Sequence, residues 1–146
     1  MTILDANAII GGLLDEPCRK QVERLLRDKQ KPARIAAVNL AEVVDQLVRV
    51  RQCNEISVDI QIDRLILGGL DVVELDEDTG RAAGRLRARH YHVRDRAVSL
   101  ADCVAVATAL RAGESIASSD ADLVAMARDE RVKVVALPNS SGRKPT

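Results

Sequence analysis

Two spacings of apolar residues alternate along the 146-residue chain. Short apolar runs closed by turn or polar residues read as buried strands. They are the opening "TILDANAII" with its exit at Asp5, "ARIAAV" (33–38) behind Pro32, "LDVVEL" (70–75), "SIASS" leading to Asp120, and "VKVVAL" (132–137). Between them apolar residues recur at helical spacing. A surface helix spans Pro17 to Lys29. A second places Leu40, Val43, Val44, Leu47 and Val48 on one stripe, with Asn39 expected as its N-cap. Ile56–Leu67 closes at Gly68 and Gly69, Thr79 to about Tyr91 is rich in Arg, and Asp122–Arg131 is short. Strands alternating with helices predict an α/β fold, a parallel sheet of about five strands with helices on both faces. A single domain over residues 1–138 and a polar, disordered tail over 139–146 are expected.

One helix departs from the amphipathic rule. "SLADCVAVATAL", Ser99 to Leu110, is apolar or small at every position but Asp102 and is expected to be buried all round. Helical neighbours of Asp102 are Ala105, Val106 and Ala109, none of which can compensate a carboxylate. A buried, uncompensated carboxylate costs several kcal/mol, so a group from elsewhere in the chain must meet it.

Composition narrows the function classes. The 22 basic and 22 acidic residues cancel, and any charge signal must be local. Cys18, Cys53 and Cys103 are odd in number and lack a C-x-x-C pair, which argues against a disulfide framework or zinc knuckle and fits a reducing compartment. No apolar run approaches the roughly 18 residues of a membrane span, and the N-terminus carries no basic-then-apolar leader. A cytoplasmic location without membrane attachment is expected. Tyr91 is the only aromatic residue, so the stacking platform of a simple single-strand binder is not present.

In open parallel sheets the functional crevice lies beyond the carboxyl ends of the strands. Four acids fall there: Asp5 at the first strand exit, Glu42 in the first turn of the helix after the second strand, Asp102 in the first turn of the apolar helix, and Asp120 at the end of "SIASSD". Asn7, Ser99, Ser118 and Asp122 are polar neighbours. Carboxylates gathered without cations repel, and a hard divalent ion resolves that repulsion through oxygen ligands. With Mg²⁺ or Mn²⁺ such a site performs in-line displacement at phosphorus. Each acid also has a plainer reading. Glu42 shares a solvated face with Asp45 and Arg49, Asp102 fits a capping box with Ser99, Asp120 and Asp122 fit helix caps, and Asp5 fits a turn.

"LDANAII", "NLAEVV", "SLADCVAVATAL" and "IASSDADL", in this order and spacing, resemble the motifs of PIN-domain proteins, and in particular the VapC-type toxin ribonucleases of toxin-antitoxin pairs. The resemblance extends to about Leu137. It implies a parallel sheet sandwiched by helices, hydrolysis of RNA with Mg²⁺ or Mn²⁺, a homodimer, and inhibition by a small cognate antitoxin. It makes Asp5, Glu42, Asp102 and Asp120 the catalytic, metal-binding acids and Asp122 an accessory ligand. Asn7 and Ser118 would orient the carboxylates, with Ser99 and Asn39 alongside. Asn39 stands where the family commonly has Ser or Thr.

The segment Arg81–Arg96 carries Arg81, Arg85, Arg87, Arg89, Arg94 and Arg96 against Asp95 alone. On a helix Arg81, Arg85 and Arg89 form one row able to follow an RNA backbone toward the acids. His90 and His92 project differently and make a poor metal pair. No P-loop, nucleophile elbow or dinucleotide fingerprint occurs. A metal-dependent endoribonuclease is the leading expectation, and a nuclease-inactive PIN scaffold that binds RNA or protein is the alternative.

Overall fold

The computed structural model describes all residues from Met1 to Thr146. Five strands form one parallel sheet: β1 (Thr2–Leu4), β2 (Ala33–Ala36), β3 (Asp71–Val73), β4 (Ser115–Ser118) and β5 (Val134–Ala136), in the order β3-β2-β1-β4-β5. The chain builds outward from β1 through β2 to β3, then crosses back to place β4 on the other side of β1. That reversal puts the carboxyl ends of β1 and β4 side by side at the switch point of the sheet.

Seven α-helices complete the chain: α1 (Ala6–Leu13), α2 (Arg19–Arg27), α3 (Ala37–Asp45), α4 (Glu55–Leu67), α5 (Glu77–His90), α6 (Leu100–Ala112) and α7 (Ala121–Asp129). A π-helical turn, Gln46–Val50, extends α3. Side chains of successive strand residues leave on opposite faces. Ile3 and Ile116 join α5, α6 and α7 in one core cluster, while Leu4, Ile35 and Ala117 join α1 to α4 in the other. The α/β class, the parallel sheet and the helices on both faces agree with the pattern in the sequence. No helix is long and apolar enough to cross a membrane.

The strand exit expected at Asp5 is observed, and two other local expectations are corrected. The apolar stretch after Asp5 is helix α1, because the Asp5 carboxylate caps it by accepting a 2.7 Å bond from the Ala8 N–H. Strand β1 therefore ends after three residues. The helix expected to begin behind Asn39 begins at Ala37, directly out of β2, with Ala36 as a cap that contributes no side-chain bond. Apolar β2 passes into apolar α3 without an intervening polar residue, which hides the boundary. Asn39 is accordingly not a cap; it lies inside the helix and is fully buried, and Glu42, expected in the first turn, lies in the second. Finally, the strands at 70–75 and 132–137 shorten to three residues each. In the tail for which disorder is expected, the Asn139 side-chain oxygen accepts bonds from the N–H groups of Ser141 and Arg143 and closes a turn.

Helix α6 is buried from Cys103 to Ala109 and stops at Gly113, which adopts φ +65°. Its run of small residues lets it lie against both the sheet and α5. The two helices are antiparallel: Arg111 at the end of α6 reaches Asp76 and Asp78 at the start of α5, while Arg87 late in α5 donates to the Val98 carbonyl just before α6.

Candidate metal centre

Asp5 leaves β1 at the switch point with both carboxylate oxygens engaged. Oδ1 accepts the α1 cap bond, and Oδ2 accepts a short 2.5 Å bond from the Ser118 hydroxyl at the end of β4. Residues 113 apart in sequence meet here because β1 and β4 are paired. Ser118 Oγ in turn accepts from the Asp120 N–H at 2.9 Å, which fixes the chain as it leaves β4. Asp5 is 2% exposed and has no cation beside it. Burial pushes its pKa up to about 7, the bonds from Ser118 and Ala8 oppose that rise, and the charges of Asp102 and Asp120 add to it.

Asp102 occupies the first turn of α6. Its Oδ2 accepts a 2.6 Å bond from the Ser99 N–H and its own N–H donates to Ser99 Oγ, a complete capping box. Capping does not neutralise it: burial, followed by the charges of Asp120 and Asp122, holds its pKa above the usual carboxylate range. Glu42, half-buried on α3, makes no hydrogen bond or ion pair, and burial together with Asp102, Asp120 and Asp45 raises its pKa. Asp120 caps α7 through Leu123 N–H, and Asp122 accepts from Ala97 N–H. The plain capping readings thus hold for Asp102 and Asp120, and Asp5, read as a turn residue, is also a cap; the charges of Asp102 and Asp120 nevertheless push up the pKa of Asp5 and of Glu42. The chain's ion pairs engage other acids, among them Asp45, Glu77, Asp129 and Glu130.

Two polar neighbours lie differently from expectation. Asn7 is exposed on the first turn of α1 and bonds to none of the acids. Asn39, one helical turn before Glu42, donates from Nδ2 to the Ala101 carbonyl at 3.2 Å and so ties α3 to the start of α6. Its Oδ1 is buried without a partner. Of the arginine row on α5, Arg81 is paired with Glu77 and Arg89 with Glu130, leaving Arg85 exposed and free. His90 is held between Glu130 and Arg96, and His92 begins a small hairpin closed against Arg96.

The donor set is hard oxygen throughout: five carboxylates without a cationic partner and one orphaned amide oxygen. In chemistry it fits Mg²⁺ or Mn²⁺. The acids feel one another's charge, and no three of them are gathered tightly enough to enclose an ion as they stand.

Residues 2–129 match the family model described as PIN domain. A comparison with curated protein sequences finds no match. Among solved structures the chain is similar to VapC20 of Mycobacterium tuberculosis, a sarcin-ricin loop cleaving toxin, with TM-score 0.68 and 18% identity over 86% of this chain and 94% of that one. It is also similar to FitAcB from Neisseria gonorrhoeae, with TM-score 0.65 and 22% identity over 92% and 96%. A third is VapBC2 from Rickettsia felis bound to a DNA fragment from their promoter, with TM-score 0.66 and 12% identity over 92% and 96%. At these identities the likeness is one of fold. With the family model spanning most of the chain, the protein belongs to the PIN-domain family.

Proposed function

We propose that this protein is a divalent-metal-dependent endoribonuclease and the toxin of a toxin-antitoxin pair. The observation that carries the reading is the cation-free set of acids at the switch point, with Asp5 buried at its centre and raised to about 7. Asp5, Glu42, Asp102 and Asp120 would hold Mg²⁺ or Mn²⁺, with Asp122 at the margin. When bound, the ion supplies Lewis acidity and lowers the pKa of an attacking water in phosphodiester hydrolysis.

The remaining work belongs to the chain. Ser118 would hold Asp5 Oδ2 in one orientation toward the ion, and the Ser99 capping box would do the same for Asp102. Near neutrality Asp5 is divided between its protonated and ionised forms, and a neighbouring cation draws it to the carboxylate. Arg85 is the member of the α5 row left free to meet an RNA phosphate. An apolar groove between α1, α2 and α4, lined by Ile9, Leu13, Val22, Leu26 and Leu65, is suited to an apolar face of a small antitoxin. A toxin-antitoxin complex from Klebsiella pneumoniae, similar to this chain with TM-score 0.59 and 18% identity, motivates such a partner. A homodimer belongs to the same proposal.

Cleavage of pooled cellular RNA by antitoxin-free protein in Mg²⁺, Mn²⁺ or EDTA, beside Asp5→Asn and Asp102→Asn, is the test. Metal-dependent cleavage lost in both variants is expected. Cleavage that survives EDTA and both substitutions overturns the mechanism, and no cleavage with either ion overturns it in favour of a binding scaffold.

A further inference from the structure

A polar cleft of about 330 Å³ opens beside the acids, within the range of small-ligand pockets, roughly 300–1,000 Å³. Asp120 lies on its wall, which makes it continuous with the acidic crevice. Asn7 and Ile10 from α1, Glu16 from the connection to α2, Arg51 from the end of the π-helical turn, Ser119 and Ala121 around Asp120, and Asn139 and Ser140 from the C-terminal turn complete it. Five separate segments of the chain contribute.

The hydrogen-bonding capacity of this cleft is unused. The Asn7 amide and the Ser119 and Ser140 hydroxyls have no partner within the protein. The Asn139 oxygen is occupied by its own turn, leaving its NH₂ group as donor. Arg51 is the cation of the cleft. Its guanidinium stands 3.7 Å from Glu16, beyond hydrogen-bond length, and its side chain is 52% exposed. Glu16 and Asp120 also line the wall, so an acceptor-rich anion beside the candidate phosphodiester-cleaving site would be held by the Arg51 guanidinium turning from Glu16 and by the neutral amide and hydroxyl donors.

We propose that this cleft seats the RNA nucleotide next to the bond that is cut, with Arg51 binding its phosphate and Asn7, Ser119, Asn139 and Ser140 binding ribose or base edges. The inference rests on the ribonuclease reading above and assigns a substrate subsite to it. The C-terminal turn thereby becomes part of the RNA-binding surface.

The test is binding of a short fluorescent single-stranded RNA of mixed sequence to full-length protein in Mg²⁺, in the cleavage-disabled Asp102→Asn background, across a salt series. Arg51→Ala is expected to weaken binding roughly tenfold and to flatten the dependence of log K on log salt by about 0.7, the value for one phosphate contact on a single strand. Asn7→Ala is expected to weaken binding with the slope unchanged. Arg24→Ala removes an equivalent exposed charge on α2 and should do neither. Unchanged affinity and slope in Arg51→Ala overturn the proposal, as does an equal effect of Arg24→Ala. Cleavage by the wild-type protein separates the two ideas. Metal-dependent cleavage with Arg51→Ala binding normally removes the subsite and leaves the nuclease, whereas weakened binding without wild-type cleavage retains the subsite and removes the nuclease.

Discussion

Replacing Asp5 by Asn is expected to stabilise the metal-free protein, and more so at higher pH. Folded Asp5 keeps its proton to about pH 7, while the unfolded chain releases it near the ordinary value of 3.8. Through that window the native state binds more protons than the unfolded state, so wild-type stability falls as pH rises and the loss is complete above about pH 7. A rise of about three units corresponds to about 4 kcal/mol at pH 8, at 1.36 kcal/mol per unit, and to less than half of that at pH 5. Asn retains an oxygen for the Ala8 N–H, but its NH₂ group cannot accept from the Ser118 hydroxyl, which costs about 1–2 kcal/mol. The net gain at pH 8 is then about 2–3 kcal/mol, or roughly 5–10 °C in Tm for a domain of this size. At pH 5 the two effects nearly cancel. Thermal unfolding followed by circular dichroism in EDTA at pH 5 and pH 8 reads both numbers. A variant that melts at or below the wild type at pH 8, or a difference that does not change with pH, refutes the account of Asp5 as a carboxylate destabilised by burial.

Three further outcomes follow from the same geometry. Mg²⁺ or Mn²⁺ at a hundredfold excess over its Kd should stabilise the wild type by about 2.7 kcal/mol at pH 8 and raise Tm, with most of that rise absent in Asp102→Asn; equal shifts in both proteins would place the ion elsewhere. Ser118→Ala removes a donor to Asp5 and the acceptor of the Asp120 N–H, and should cost about 1–3 kcal/mol by urea unfolding, more at pH 8 than at pH 5 because the ionised form of Asp5 is the one Ser118 stabilises. At Gly11 an added Cβ would stand 2.5 Å from Cys18 Sγ, so Gly11→Ala should cost about 1–3 kcal/mol, and combining it with Cys18→Ala should recover part of that loss; additive losses would show the contact is not the cause.

Much of the fold is legible in the sequence because its signals are local. Caps such as Ser99 and Asp120, the αL stop at Gly113 and the apolar helix between them act over three or four residues and read the same in isolation. Boundaries fail where the local signal is mute. The passage from β2 into α3 runs through Ala36, Ala37 and Val38 with no polar residue to mark it. Surface charge was least legible. Arg81 and Arg89 read as one free row, yet each has an acid within reach, Glu77 on the same helix and Glu130 at the end of α7.

What the sequence determined by itself was the class of the fold and the chemistry available to it: alternating periods set a parallel α/β sheet, and Asp5, Asp102 and Asp120 stand at strand exits or first turns whichever strands are neighbours, while Glu42 stands one turn further into α3. Only the tertiary structure decided which of these groups face one another. Pairing β4 against β1 brings Ser118 onto Asp5 across 113 residues, contact between α3 and α6 buries Asn39 with an unsatisfied oxygen, and the C-terminal turn comes to lie across from Asn7 and Arg51. Such meetings depend on strand order, a property of the whole chain that no local window contains.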